Sequence, residues 1–268
     1  MGGLGNQMFQ YALGRSLEAL GKEVLFERGL LDACSARTYL LDDLQTSVRF
    51  ADKVYGPEIV EQGMPFDPQV LAGDACTLTG YWQSEKYFRE IAKDLRKELV
   101  PTYTKARTRE VAAKISTSSV ALHIRRSDSL SVRALPYHGL LCTTAYYNRA
   151  VEYIRSRVPE PKFFVFSDDI PWCRANLKLD ATFVDHNAMS GTCDPAGIIT
   201  KGSRGRECED LYLMSRCQHA IIANSSFSWW GAWLGDNKQD RIVIAPRQWF
   251  VAPNMDARDI VPLRWLTL

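Results

Sequence analysis

A chain of 268 residues is long enough for one large domain or for two lobes with separate cores. Its 46% hydrophobic and 24% charged residues are the ordinary balance of a soluble globular protein. A net charge of +2 argues against nucleic acid as the main partner, which needs a basic face, and leaves a phosphorylated ligand compatible.

The chain opens on Gly2-Gly3-Leu4-Gly5-Asn6-Gln7, a glycine turn feeding a helix. Met8, Tyr11, Ala12, Leu17 and Leu20 recur near helical spacing, and Gly21 is the expected stop. Such a turn lets backbone N–H groups approach an anion or a sugar. No Gly-Lys-Ser/Thr follows and no strand precedes it, so it is neither a Walker loop nor a dinucleotide fingerprint. Glu23–Phe26 reads as a strand, and the zone around Pro57, Pro65 and Pro68 as loops and short turns. Thr77–Trp82 is strand-like and leads into an amphipathic helix reaching about Leu99, with Ser84 as its N-cap. The polar stretch 101–108 reads as a linker, dividing the chain into residues 1–105 and 106–268.

Val120–Ile124 is an apolar run with a β-branched residue at each end, the signal of a buried strand. Alternation places His123 and Arg125 on one face, Ile124 and Arg126 on the other; Ser127 and Asp128 follow. After a loop with His138-Gly139 come a helix from about 144 to 158 and a strand at 163–166 ending in Ser167-Asp168-Asp169. A short helix, a strand at 182–184, a Gly-rich basic loop at 194–205 and a helix at 207–217 follow. Then come a strand at 220–223, the turn Asn224–Trp230 into a helix, and a strand at 241–245 stopped by Pro246. Strand and helix alternating four times is the pattern of an α/β, doubly wound parallel sheet.

Three polar clusters, Arg125/Arg126, Asp168/Asp169 and Ser225/Ser226, fall at carboxyl ends of these strands, where open parallel sheets bind ligands. Paired guanidiniums suit a diphosphate, being planar, always charged forks of donors; the plainer alternative is solvated arginines paired to Asp128. Asp168-Asp169 reads equally as a helix N-cap. Ser225-Ser226 reads as a cap or, with the helix-start amides, as a phosphate cradle. Trp229 and Trp230 read as core, and His138 as a surface histidine or a general base.

Seven cysteines, at 34, 76, 142, 173, 193, 208 and 217, are odd in number and form no Cys-x-x-Cys pair. Neither zinc nor a disulfide framework is indicated, and reduced thiols are expected. No stretch approaches the ~18–20 apolar residues of a membrane span, and no secretory signal is visible. Asn6 stands where myristoylation needs Ser or Thr.

GGLGNQMFQYA at 2–12, GYWQSEKYF at 80–88, HIRRSD at 123–128, and His138-Gly139 with Tyr146 and Tyr147 form one series with three later segments. Those are FSDD at 166–169, EDLYLMSRCQHAIIANSSFSWWGAWL at 209–234 and IVIAP at 242–246. The series resembles the α-1,2-fucosyltransferases of glycosyltransferase family 11, in order from residue 2 to the C-terminus. The resemblance implies a GT-B-like fold of two Rossmann-like lobes with the active site in the cleft between them. Residues 1–105 would be the acceptor side and 106–268 the GDP-fucose-binding lobe. It implies inverting transfer of L-fucose from GDP-β-L-fucose to the 2-hydroxyl of a terminal galactose, without metal or other cofactor. In a metal-free site the charge on departing GDP must be met by protein donors, and arginine is the natural one.

Carried over by motif, Arg125 binds the β-phosphate and stabilises the leaving group, and Arg126 supports the loop or the diphosphate. His123 contacts the nucleotide, and Ser225, Ser226 and Phe227 meet phosphate and guanine. Asp210 accepts from the guanine N1–H and amino group, which discriminates against adenine. Asn6, with Gln7 beside it, faces the fucose or the acceptor. Asp128, His138, Glu85 and Asp168 are the alternatives for a general base. Family members carry an apolar strand before the glycine turn where this chain has Met1, so a central strand of the first lobe is expected to be missing. Ser127-Asp128-Ser129 replaces the usual Gly-Asp-Tyr, which bears on the acceptor side. A cytoplasmic protein, peripheral at the inner membrane face and acting on lipid-linked glycans, is expected. The competing readings are a fucosyltransferase of different linkage or acceptor, and a weakly active protein that binds GDP-sugar or glycan.

Overall fold

The computed structural model describes residues 2–33, 38–53, 56–126, 139, 141–187 and 206–268. The chain divides into two compact units, Met1–Thr102 with Asn254–Pro262 and Tyr103–Pro253 with Leu263–Leu268.

In the first unit, helix α1 (Leu4–Ala19) starts straight from the glycine turn and buries Leu4, Met8, Phe9, Tyr11 and Ala12 almost completely. Gly21 just beyond it takes φ +84°, a left-handed backbone that glycine adopts without strain. Then come the short helix α2 (Gly29–Asp32), β1 (Glu58–Val60), α3 (Gln69–Ala72) and β2 (Thr77–Thr79), with β1 and β2 paired in parallel. Helix α4 (Ala92–Glu98) follows.

Several local expectations change here. Glu23–Phe26 is not a strand: only Phe26 pairs, its N–H and C=O exchanging bonds with Arg49 O and Ala51 N at 2.8 and 2.9 Å. Strand β1 lies in the proline zone read as loops; all three of its residues are exposed, so no apolar alternation betrays it. Ser84 does cap, but it caps a 3-10 turn (Glu85–Tyr87) rather than a long helix. The helix is interrupted at Phe88, whose φ of −142° turns its ring into the core 6.0 Å from Phe9. Instead of an open Rossmann-like sheet, this unit shows the β1–β2 pair and isolated bridges among the described residues.

The second unit begins with helix α5 (Ala106–Ala112), in part of the stretch read as linker. Its sheet comprises β3 (Ser119–Ile124), β4 (Lys162–Ser167), β5 (Ala181–Val184), β6 (His219–Ile221), β7 (Val243–Ala245) and β8 (Leu266–Thr267). Between them run α6 (Thr144–Arg155), α7 (Ile170–Asn176), α8 (Glu207–Arg216) and α9 (Ser226–Leu234). All six strands are parallel, in the order β5-β4-β3-β6-β7-β8. Counted within the sheet this is 3-2-1-4-5-6, the order of a Rossmann-type doubly wound fold.

Every residue of β3 is buried, because a central parallel strand is covered on both faces. Val120, Leu122 and Ile124 pack with Tyr146, Tyr147, Ala150 and Ile154 of α6. On the opposite alternation, the His123 ring lies 5.4 Å from Phe227 of α9. Trp229, Trp230 and Trp233 of α9 are sealed, with Trp265 tilted against Trp229 at 5.5 Å, so the tryptophans are core as read. The chain reverses direction in the sheet between β3 and β6, which makes their carboxyl ends the topological switch point.

Candidate functional site

Arg125 and Arg126 leave β3 at that switch point, and the structure gives them different environments. The Arg126 N–H donates to Asp168 Oδ1 at 2.9 Å, and its Nε lies 3.3 Å from Asp169 Oδ2. Its guanidinium sits 3.8 Å over the Trp172 ring, a cation–π contact that fixes the plane of the fork. Arg125 Nε is 3.4 Å from Asp168 Oδ2, longer than the 2.7–2.9 Å typical of a charge-assisted bond. Arg126 is therefore clamped, and Arg125 stands beside it at the same strand end, paired toward Asp168. Asp169 also caps α7, accepting from Trp172 N at 3.0 Å, so capping and pairing to arginine coexist in one side chain.

Across the switch point, Ser225 is the N-cap residue of α9 by backbone but makes no side-chain cap bond. Ser228 Oγ bonds the carbonyls of Ala223 and Ser225 instead, at 3.1 and 3.2 Å. The hydroxyls of Ser225 and Ser226 have no partner among the described residues, and both residues are half-buried. Free hydroxyls beside the open amides of a helix start form a ready anion cradle. His123 is 3% exposed, with Nδ1 unpartnered among the described residues. Burial, with the Arg125 charge adding to it, pushes its pKa down to about 3, so the imidazole stays neutral.

A second cluster surrounds the first turn of α8. Glu209 is fully buried and accepts from Thr108 Oγ1, from Lys105 N at 3.0 Å and from Arg206 Nε at 2.6 Å. Burial alone would raise its pKa, but these donors prevail and hold it below the usual carboxylate range. Arg206 in turn covers Tyr103 at 3.7 Å. Asp210, next in sequence, is half-buried and accepts from Asn187 Nδ2 at 2.9 Å. Burial pushes its carboxyl up to about 7 against that hydrogen bond. Asn187, three residues past the end of β5, carried no signal in the sequence; nor did Glu209 or Trp172, which lie inside or beside recognised motifs without a role assigned by type.

In the first unit the two early motifs interlock. Gln10 Nε2 donates to Gly80 O at 2.8 Å, and Gln83 Nε2 donates to Asn6 Oδ1 at 3.0 Å. Asn6 is half-buried, whereas Gln7 is 4% exposed and spends its amide on Gly2 O, Thr38 O and Leu40 N. Gln7 thus pins residues 38–40 to α1. Glu85 is half-buried at the start of the 3-10 turn that Ser84 caps. Glu61, unmarked in the sequence, accepts from Tyr81 N and Trp82 N at 2.7 and 3.0 Å. Trp82 holds φ +58°, rare for a bulky residue. Asp128 and His138 lie outside the described residues, as do Ser127, Ser129 and the loop at 194–205.

The five described cysteines are free thiols. No three His, Cys, Asp or Glu side chains converge on one point among the described residues, and no described helix is long and apolar enough to cross a membrane. A cleft of about 430 Å³ between α6 and residues 246–248, lined by Tyr146, Arg149 and Arg247, contains none of the predicted site residues.

Comparison with known proteins extends this picture. Residues 75–268 match the family model for glycosyl transferase family 11. An alpha-1,2-colitosyltransferase of Escherichia coli is 33% identical over 100% of this chain and 96% of its own length. The O-antigen biosynthesis glycosyltransferase WbnK of Escherichia coli is 38% identical over 52% of this chain and 41% of its own. The galactoside 2-alpha-L-fucosyltransferase SEC1 of Bos taurus is 26% identical over 87% of this chain and 62% of its own. No solved structure matches the chain. With the family model covering most of the sequence and a full-length relative at this identity, the chain belongs to glycosyl transferase family 11 and is a glycosyltransferase.

Proposed function

We propose that this glycosyltransferase moves L-fucose from GDP-β-L-fucose to the 2-hydroxyl of a terminal β-galactose, with inversion and without a metal. The observation that carries the reading is the switch point itself. The Arg125 guanidinium and the hydroxyls of Ser225 and Ser226 at a helix start stand at the carboxyl ends of β3 and β6.

In this reading the acceptor 2-hydroxyl attacks the anomeric carbon opposite GDP. The carbon–oxygen bond to the β-phosphate breaks, and the hydroxyl proton passes to a base. Arg125 meets the charge growing on the β-phosphate oxygen, and Arg126 holds the Asp168–Asp169 scaffold against which Arg125 turns. The base comes from Asp128, His138, Glu85 or Asp168. Asp168 suits that role least, because Arg125 and the Arg126 amide already engage its carboxylate on the leaving-group side. Asn6 serves the fucose or the acceptor. A GT-B-like pair of lobes, a 1–105 acceptor side, and peripheral association with a membrane carrying the glycan belong to the same proposal.

A second donor is favoured by a specific observation, the full-length similarity to a colitosyltransferase. Colitose is L-fucose lacking the 3-hydroxyl, so the two donors differ by one hydrogen-bonding group. Incubation with GDP-fucose or GDP-colitose and a panel of β-galactosides, with linkage read by NMR, tests the reading. A 2-linked α-fucosyl galactoside is the expected product. Transfer of colitose alone would reassign the donor, and transfer to a position other than O2 would overturn the acceptor assignment.

A further inference from the structure

Asn187 and Asp210 present two acceptors that meet no donor among the described residues. Asn187 is 2% exposed, and its Oδ1 has no hydrogen-bond partner among the described residues. Its Nδ2 donates to Asp210 Oδ1 at 2.9 Å. That bond fixes which way round the amide sits, because a carboxylate only accepts. The other Asp210 oxygen has no donor among the described residues either. The neighbouring carboxylate shows the contrast: Glu209, equally part of the first turn of α8, is met by Thr108, Lys105 and Arg206. Packing among the described residues therefore supplies donors to one carboxylate and leaves one oxygen of its neighbour and the adjoining amide oxygen without them. A sealed acceptor with no donor carries its whole desolvation cost, which a ligand donor removes.

Guanine offers what this pair lacks. Its Watson–Crick edge carries two adjacent donors, N1–H and the 2-amino group. Adenine presents an acceptor at N1, and uracil a single N–H. Asp210 sits at the start of α8, and α8 leads from the carboxyl end of β5 back to the start of β6. It therefore starts on the sheet edge that carries Arg125 and Ser225. Building on the reading of that edge as a guanine-nucleotide site, we propose that Asn187 is the residue that selects guanine. The free Asp210 oxygen accepts from N1–H, and Asn187 Oδ1 accepts from the 2-amino group, while Asn187 Nδ2 holds the carboxylate in register.

The test is calorimetric titration of the full chain with GDP and with IDP, whose hypoxanthine keeps N1–H and lacks the 2-amino group. The wild type is expected to bind GDP about tenfold more tightly than IDP, the usual effect of leaving one buried acceptor unmet. Asn187→Leu, close in size but without an acceptor, should weaken GDP and bring the two affinities within about twofold. Asn187→Ala, which removes bulk rather than adding it, provides the same ratio if the leucine variant does not fold. Asp210→Asn should weaken both nucleotides, because N1–H is common to them. A purely structural Asn187 would lower both affinities together and keep the tenfold preference, and that result overturns the proposal while leaving the nucleotide site intact. A wild-type protein that binds ADP as well as GDP overturns the site reading itself.

Discussion

At the scale of single residues, the two arginines that look equivalent in HIRRSD are made different by their partners. Arg126 is held by Asp168, Asp169 and the Trp172 ring, whereas Arg125 Nε stands 3.4 Å from Asp168 Oδ2. Arg125→Ala should lower kcat by about 10²-fold or more, the usual loss when a donor to a developing anion is removed, with the melting temperature nearly unchanged. Arg126→Ala should instead lower the melting temperature and reduce kcat less, through disorder of Asp168. Steady-state rates and thermal melts on both variants decide this; a stable but inactive Arg126→Ala with an active Arg125→Ala would reverse the roles.

Asp210 adds a pH prediction. Guanine donors need the carboxylate, and burial holds this carboxyl near 7, with Glu207 and Glu209 adding to the shift and Lys105 and the Asn187 bond opposing it. Protons then compete with the donor, so affinity for GDP-fucose should fall about tenfold from pH 8 to pH 6. The diphosphate of GDP-fucose is a diester and does not titrate there, which makes it the right probe. The effect on the empty protein has the opposite sign. A raised carboxyl contributes stability that is full below its unfolded value of about 4 and is lost as pH rises through about 7. Equal donor affinity at both pH values would contradict the assignment.

At the scale of elements, α5 and α8 are joined by one buried carboxylate. Glu209 binds Thr108 and the Lys105 amide at the start of α5 and Arg206 before its own helix. Removing it takes away the carboxylate paired to Arg206, whose side chain is 10% exposed and keeps Tyr103 as a partner. Glu209→Ala should therefore cost about 3–5 kcal/mol in chemical denaturation, as for other broken buried pairs. A loss near zero would show that the pair adds nothing. The sequence displayed this helix but not the network, since a Glu in a helix first turn is ordinary dipole chemistry. The same limit applies to β1, whose three exposed residues carry no pattern, and to the break at Phe88, which a helical-period reading runs straight through. Continuous apolar runs such as β3 and β4 were legible because both faces are buried, which leaves little else those residues could form.

At the scale of the whole molecule, the strand–helix alternation after residue 119 predicted a parallel sheet, and the sheet has the Rossmann strand order. That order could not be read directly, because strand sequence says nothing about which neighbours pair. It is what brings the ends of β3 and β6, nearly 100 residues apart in sequence, to one place. The clusters at 125–126, 168–169 and 225–227 were legible as polar punctuation after apolar strands. Their division of labour was not, since it depends on Trp172, Asn187 and the distances between side chains. In the first unit the glycine turn and its helix were legible, but the hydrogen bonds from Gln10 to Gly80 and from Gln83 to Asn6 span some 70 residues and leave no local trace.

The central claim is that the second unit binds a guanine nucleotide through protein donors alone. Thermal melting of the chain with GDP, GDP-fucose, UDP and ADP, each with and without EDTA, tests it most directly. A ligand at ~100 times its dissociation constant adds about 2.7 kcal/mol of stability, which a melt resolves as a shift of several degrees. The account predicts that shift for GDP and GDP-fucose only, unchanged by EDTA. Equal shifts for all the nucleotides, or a GDP shift that EDTA abolishes, would contradict it.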